Sequence, residues 1–429
     1  MTRWLFLCMC LASCVPVAER RPLEGTALTP PGPAGRPARE VTRTNAELAR
    51  DALELAFRLE SGRALPVFSR FEEPVTVRLI GSAPTAAQDL GELIARLREE
   101  ARIDIRPAAP GAEASITVQL VSRGAVSREL PGAACFVAPG VSSWPEYRAA
   151  RGRPGTDWTR LTTRTKAAIF IPADVPPQEM RDCLHEELAQ ALGPVGDLYR
   201  LTGSVFNDDN FHAVLTRTDM LILRALYDDD LSSGMSEREV ARRLPAIFDR
   251  IHPAGRHGGT PAPAPRDPAW ERDIQRALVP GDAGQRRAAV SRALSRAERE
   301  GWRDARRAFS HYVWARLHIE GDPARAGAAL ERARALYAGL PGTEVQLAHV
   351  DLQRAALALG EGSSQAAVSI ADRAVPVATR ARNAALLASL HAVRAAAFDV
   401  LDRPGLAQRA RAEGRRWAAY GFGDGGGES

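Results

Sequence analysis

Residues 186 to 197 set polar side chains and a glycine turn at the spacing of a zinc hydrolase, but with side chains that suit zinc poorly. They read Glu186-Glu187-Leu188-Ala189-Gln190-Ala191-Leu192-Gly193-Pro194-Val195-Gly196-Asp197. A catalytic zinc on a helix needs two histidines four residues apart, so that both imidazoles reach one ion. A glutamate between them polarises the metal-bound water, and a third histidine follows a glycine turn. In that frame Glu187 holds the general-base position and Gly193 the turn, while Glu186, Gln190 and Gly196 stand where the three ligands belong. A second frame begins at His185, but it puts Ala189 at the second ligand position and Leu192 at the turn. The frame from Glu186 also fits Asp197 and is preferred. One carboxylate and one amide cannot neutralise a dication, so neither a catalytic zinc nor any other cofactor is expected.

Without a metal, the carboxylates have limited options. Glu186 and Glu187 are adjacent, hence roughly 100° apart around a helix, and cannot flank one scissile bond. Glu186 and Gln190 share a face, so they are expected to bind a polar group or to join Asp208 in a hydrogen-bonded network. His212 is placed to approach the same cleft. His185, His252 and His257 match no ligand spacing, and Asp208-Asp209 and Asp228-Asp229-Asp230 lack the loop spacing of a calcium site.

The chain of 429 residues, 45% hydrophobic, is long enough for two or three domains with real cores. Its formal charge of +5 is small, and Lys166 is the sole lysine. The arginines alternate with acids along helices, which argues against a nucleic-acid partner. Arg3 followed by the apolar run Trp4 to Leu11 is a leader too short to span a bilayer. Leu11-Ala12-Ser13-Cys14 has the order of a bacterial lipobox, so residues 1–13 read as a signal peptide and Cys14 as the lipid-bearing residue. Several acyl chains on one residue anchor stably. The expectation is an exported protein, lipid-anchored in the cell envelope through Cys14. Val15 in place of aspartate favours the outer membrane, facing the periplasm. Besides Cys14, the mature chain keeps Cys135 and Cys183, and two thiols in an oxidising compartment suggest one disulfide.

Residues 14–43, with Pro30-Pro31-Gly32-Pro33, read as a flexible tether. Asn45 is a candidate N-cap for a helix with Leu48, Ala52, Leu55 and Leu59 as its stripe. Strands are expected at 75–80, 116–121 and 167–171, and a helix over 85–102. Residues 123–165, rich in Gly, Pro and Arg, read as a long excursion. Pro176-Pro177 starts the helix of Glu186, and Gly193-Pro194 ends it by a left-handed exit. Residues 253–267 form a Pro/Gly linker. From 268 to 423 the chain is helical and alanine-rich, with units at Pro323 to Tyr337, Ser364 to Ala378 and Pro404 to Tyr420. Starts roughly 40 residues apart suit a helical-repeat array, with Ala324, Ala328, Ala329 and Ala333 where helices pack closely.

With these elements in order, residues 44–252 resemble the upper domain of a metzincin peptidase. In that resemblance Phe206 of Gly203-Ser204-Val205-Phe206-Asn207-Asp208 replaces the methionine of the Met-turn, and 268–423 is similar to a tetratricopeptide array. The chain also resembles a proteobacterial family of uncharacterised proteins, many described as lipoproteins. Their Cys-Leu-x-Glu-Glu-x-x-Gln-x-Leu-Gly helix and Ser-x-Phe-Asn-Asp turn match Cys183 to Gly193 and Ser204 to Asp208. The resemblance covers about residues 45 to 250. It implies an α+β metzincin-like domain followed by an all-α repeat domain, and brings no known activity. Two functions follow as expectations. The first is a membrane-anchored binding protein on a pseudopeptidase domain, whose helical array recruits a protein or peptide on its concave face. The second is a divergent hydrolase with Glu187 as general base.

Overall fold

The computed structural model describes residues 43–257 and 265–423. Cys14, the leader and nearly all of the tether lie outside those residues, as does the middle of the Pro/Gly linker.

The first domain is a mixed α+β unit. Its elements in order are α1 (Asn45–Phe57), β1 (Val75–Ile80), α2 (Ala86–Glu100), β2 (Ile105–Pro107), β3 (Ile116–Val121), α3 (Arg123–Glu129), β4 (Phe136–Pro139), α4 (Trp144–Ala150), β5 (Ala167–Pro172), α5 (Pro177–Leu192), α6 (Arg217–Leu226) and α7 (Glu237–Ile251). The five strands run β2-β1-β3-β5-β4, all parallel except β4, which pairs antiparallel with β5 at the edge. Every residue of β5 is buried, as expected for an inner strand covered on both faces. On one face the main core gathers Leu93, Ile169, Leu184, Leu188, Phe206 and Leu223 from the sheet, α2, α5, α6 and the loop between them. The other face near β4 is closed by Phe136, Trp144, Tyr147 and Phe170, with ring centroids 5.0–6.2 Å apart.

Several local expectations are corrected. Thr44, not Asn45, caps α1: its side chain accepts from the Glu47 N–H, and Glu47 accepts from the Thr44 N–H in a capping box. Asn45 instead donates to Asp249 at 2.7 Å and to the His252 carbonyl at 3.1 Å, tying α1 to the end of α7. The excursion over 123–165 holds α3, β4 and α4. Gly193 leaves α5 with φ −172°, so its exit is extended and not left-handed.

Cys135 and Cys183 form a disulfide with 6.0 Å between their Cα atoms, fastening the start of β4 to α5.

The second unit is all-helical. It comprises α8 (Pro268–Leu278), α9 (Ala283–Arg299), α10 (Ala305–His318), α11 (Pro323–Ala338), α12 (Glu344–Gly360), α13 (Ser364–Arg380), α14 (Ala384–Val400) and α15 (Pro404–Phe422). These are four successive helix pairs of repeat-like character. Of the four alanines expected at close approaches, Ala329 and Ala333 are buried, whereas Ala324 and Ala328 are exposed.

The helical unit packs on the first domain and is not an independent array at the end of a linker. Phe211 of the first domain sits among Phe309, Tyr312 and His349. Gln346 donates to the Thr202 carbonyl at 2.6 Å and to Asp209 at 3.0 Å. At the other end of the seam, Gln178 donates to Asn383 and Arg181 to the Arg382 carbonyl. Arg382 pairs with Glu92, and Tyr420 donates to Asp89. The surface carrying these residues is therefore occupied within the chain, and a partner must use other faces of the helices.

Candidate functional site

Helix α5 presents three stripes, each with its own task. Leu184, Leu188 and Leu192 enter the core. Cys183 and Glu187, one turn apart, both face β4: the first through the disulfide, the second by accepting the Val137 N–H. Asp182, Glu186 and Gln190 occupy a third stripe, on which Gln190 reaches Glu60 just after α1 and Glu186 lies among the carboxyls of Glu60, Asp208 and Asp182.

The end of α5 is held with full hydrogen-bond accounting, which a buried helix terminus requires. Buried Arg164 donates to the carbonyls of Gln190, Ala191 and Gly193, each at 2.7 Å. Tyr227 donates to the Leu192 carbonyl at 3.0 Å, and the Gly193 N–H returns to Ala189. Burial pulls the Arg164 guanidinium down to about 10, still protonated at neutral pH. Beyond the turn, the Val195 N–H donates to Leu55 of α1 at 2.8 Å.

That pinning bears on Gly196, which the sequence frame set at the third expected ligand position. A Cβ on Gly196 would lie 2.3 Å from the Arg58 carbonyl oxygen. No side chain fits there without moving α1 or the turn, so this backbone has no room for a histidine. Gln190, 6% exposed, donates to Glu60 at 3.3 Å. Phe206 is fully buried in the core behind the site, with its N–H held by Ser204 and its carbonyl accepting from Leu198.

Four carboxyls from three segments lie near one another: Glu60 after α1, Glu186 on α5, and Asp197 and Asp208 in the loop over 193–210. Among the described residues none of the four has an ion-pair partner. Desolvation, with repulsion from Glu60, Asp208 and Asp182, pushes Glu186 up to about 8. Desolvation and the neighbouring Glu60 and Glu186 hold Asp197 well above the usual carboxylate range. Asp208 is raised to about 6 by burial, although Tyr199 donates to it at 2.7 Å. Desolvation and then Glu186 and Glu60 raise Glu187 strongly. Its Oε2 has no partner although the residue is 5% exposed.

The expected network of Glu186, Gln190 and Asp208 is thus not what forms: Gln190 bonds Glu60 and Asp208 bonds Tyr199. Neither Glu60 nor Tyr199 was singled out by sequence. His212 does not reach the cleft, because its Nε2 lies 2.9 Å from the Thr202 carbonyl at the seam between the domains. His185 is buried, with its Nδ1 accepting the Leu215 N–H at 3.1 Å, so it locks α5 to the start of α6. Among the described residues, no group of three or more His, Cys, Asp or Glu side chains could hold a metal ion.

These shifts give a pH dependence whose sign is fixed. A carboxyl raised in the folded state stabilises fully below the unfolded pKa, near 4, and loses that contribution as pH rises through the folded value. Glu186 at about 8 and Asp209, raised to about 7 mainly by burial beside Gln346, therefore penalise folding increasingly up to pH 8. The buried histidines His311 and His349, lowered to about 4 and about 3 by desolvation, act oppositely but only below about 6.5. Between pH 6.5 and 8 the carboxylates act alone, and stability is expected to fall by about 2 kcal/mol, after discounting for water at half-buried Glu186. Melting temperatures at constant ionic strength check this; a flat or rising trend contradicts it.

No curated protein and no solved structure matches the chain. Residues 45–246 match the model of a family described as a protein of unknown function, DUF2927. The segment from α1 into α7, including Glu60, Glu186, Asp197 and Asp208, is a DUF2927 region.

Proposed function

We propose that the protein is a binding and scaffold protein of the cell envelope, built on a metzincin-like domain that has lost its zinc ligands. The observation that carries this reading is Gly196, where the close Arg58 carbonyl leaves no space for a ligand side chain. The order of helices and strands, the α5 turn and the core position of Phe206 support the metzincin-like ancestry. In this reading Glu187 is kept because it fastens β4 to α5, which needs no turnover. Cys14 anchors the chain to the periplasmic side of the outer membrane. Among the described residues no helix is long and apolar enough to cross a membrane. The helical unit supplies the outward surface for a protein or peptide partner.

Elemental analysis of protein purified without chelator tests the central claim. Less than about 0.1 equivalent of transition metal per chain is expected, since Gln and Gly supply poor ligands; one tightly held zinc per chain would overturn the reading. In the same preparation, Cys14→Ser is expected to move the protein from the membrane to the soluble fraction, and unchanged fractionation refutes the anchor.

The unpartnered Oε2 of Glu187, held as a neutral acid, favours a second reading. In that reading Glu187 serves a divergent hydrolase as its proton-transfer group. Glu187→Gln would then abolish hydrolysis of envelope peptides while the fold is retained.

A further inference from the structure

The helices of the second unit alternate between two layers. The first helix of each pair supplies most of the residues that meet the first domain. Phe309 and Tyr312 of α10 lie against Phe211, Gln346 of α12 donates to Asp209, and Asn383 at the start of α14 accepts from Gln178. The second helices, α9, α11, α13 and α15, pack on the first helices of their own and the following pair. Of these four, α15 alone packs closely on the first domain, where Tyr420 bonds Asp89. The second helices are therefore the outer layer of the unit.

The two layers differ in charge. The outer helices carry fourteen arginines, no lysine and four acids, one acid on each helix; the inner helices carry seven arginines and five acids. The alternation of arginines with acids thus holds for the inner layer and fails for the outer one. The formal charge of +5 conceals this excess, because residues 44–257 hold 30 acids against 26 basic residues. The outer arginines that do pair often reach back to inner-layer acids, as Arg292 does to Asp273 and Arg334 to Asp351. Others are exposed and have no ion-pair partner among the described residues: Arg287 and Arg299 on α9, Arg332 on α11, Arg380 on α13, and Arg409 and Arg415 on α15.

The breadth of this field selects its partner. Packed helix axes lie about 8–10 Å apart, so the outer layer spans about 25–30 Å across its four helices. Along α9, Arg287 and Arg299 stand about 18 Å apart at the helical rise. An extended acidic segment, with a strand spacing of about 5 Å, would answer only one row of these charges. The plane of an anionic bilayer answers every row at once. Two exposed apolar residues point the same way. Val279, 46% exposed, and Val400, 67% exposed, both stand where an inner helix passes into an outer one. Basic side chains bordered by apolar ones suit the boundary between headgroups and acyl chains.

We infer that the outer helical layer lies on an anionic phospholipid surface, with the exposed arginines of α9, α11, α13 and α15 against the headgroup phosphates. The first domain, on the far side of the inner layer, is then held away from the bilayer. The inference goes beyond the proposed anchor at Cys14, because an acyl chain attaches the protein without orienting it. The turns of the array are left for a protein partner.

Cosedimentation with vesicles tests it on the chain from residue 14 onward carrying Cys14→Ser, so that no acyl chain contributes. Binding is expected to phosphatidylethanolamine vesicles that contain phosphatidylglycerol, and not to vesicles of phosphatidylcholine. Raising salt from about 0.05 M to about 0.5 M should release the protein. In Arg332→Gln/Arg380→Gln/Arg409→Gln/Arg415→Gln the affinity should fall about tenfold or more. The matched first-domain variant Arg98→Gln/Arg106→Gln/Arg128→Gln/Arg153→Gln should stay within about twofold of the parent. Both should melt as the parent does, since all eight side chains are exposed. Equal binding to phosphatidylcholine overturns the inference, as does equal loss in both variants. Binding to polyglutamate without binding to anionic vesicles overturns it in favour of an acidic protein. Cell fractionation tests the Cys14 anchor separately, so either reading can fail alone.

Discussion

Replacing Arg164 with methionine is expected to destabilise the first domain by about 3 kcal/mol or more. Among the described residues Arg164 is the sole side chain that serves the Gln190, Ala191 and Gly193 carbonyls, and it also lies 4.8 Å over the Trp158 ring. Methionine keeps an aliphatic stem against Trp158 but supplies no donor. Each orphaned buried carbonyl costs about 1–3 kcal/mol, and relief of the guanidinium's own desolvation returns only part. Lysine should be intermediate, since a point charge cannot span three acceptors as a planar fork does. Urea unfolding checks both variants, read as a shift in midpoint at unchanged slope. A loss under about 1 kcal/mol for methionine would mean that water caps the helix instead.

Removing the disulfide should have an effect of similar size. The bond joins residues 48 apart in sequence, and closing a loop of that length in the unfolded chain is worth up to about 4 kcal/mol. Cys135→Ala/Cys183→Ala is expected to lose about 2–4 kcal/mol. Part of that loss should be local, because β4 is a four-residue edge strand held on one side by β5 alone. Faster amide exchange at Val137 and Ala138 than in β3 would report it. Unchanged unfolding midpoints for the oxidised wild type and the variant would refute the expected role.

What the sequence revealed follows from how far each signal travels. β1, β3 and β5 were legible because their apolar runs are local and long enough. The helix pairs were legible because alanine-rich stripes recur between clear breaks. β2 and β4, with three and four residues, carry too little pattern. β4 is specified from a distance, by Cys183, by Glu187 and by the rings of Trp144, Tyr147 and Phe170. Glu186, Gln190 and Gly196 could be picked out by their spacing, whereas the residues that surround them could not. Glu60 lies 126 residues before Glu186 by their numbers, and nothing local distinguishes it from a solvated helix end. Asp197 was visible as part of the frame, but its raised pKa comes from partners in other segments. The left-handed exit inferred at Gly193 failed because Arg164 and Tyr227 take over the carbonyls that such a turn would otherwise have satisfied. His212 was placed in the cleft from proximity in sequence alone, and the packing of the helical unit claimed it.

The contact between Tyr420 and Asp89 joins residues 331 apart in sequence. Stacks of helical repeats ordinarily fray from their free end, each unit supported only by its neighbour. Here α15 turns back onto the strand-bearing domain, so among the described residues the helical unit is supported at both of its ends. Removing α15 would strip a buried tyrosine from Asp89 and an aromatic face from Arg181, at the opposite end of α5 from Gln190 and Gly193. Helix α15 is in this sense a part of the first domain's architecture, delivered from far along the chain.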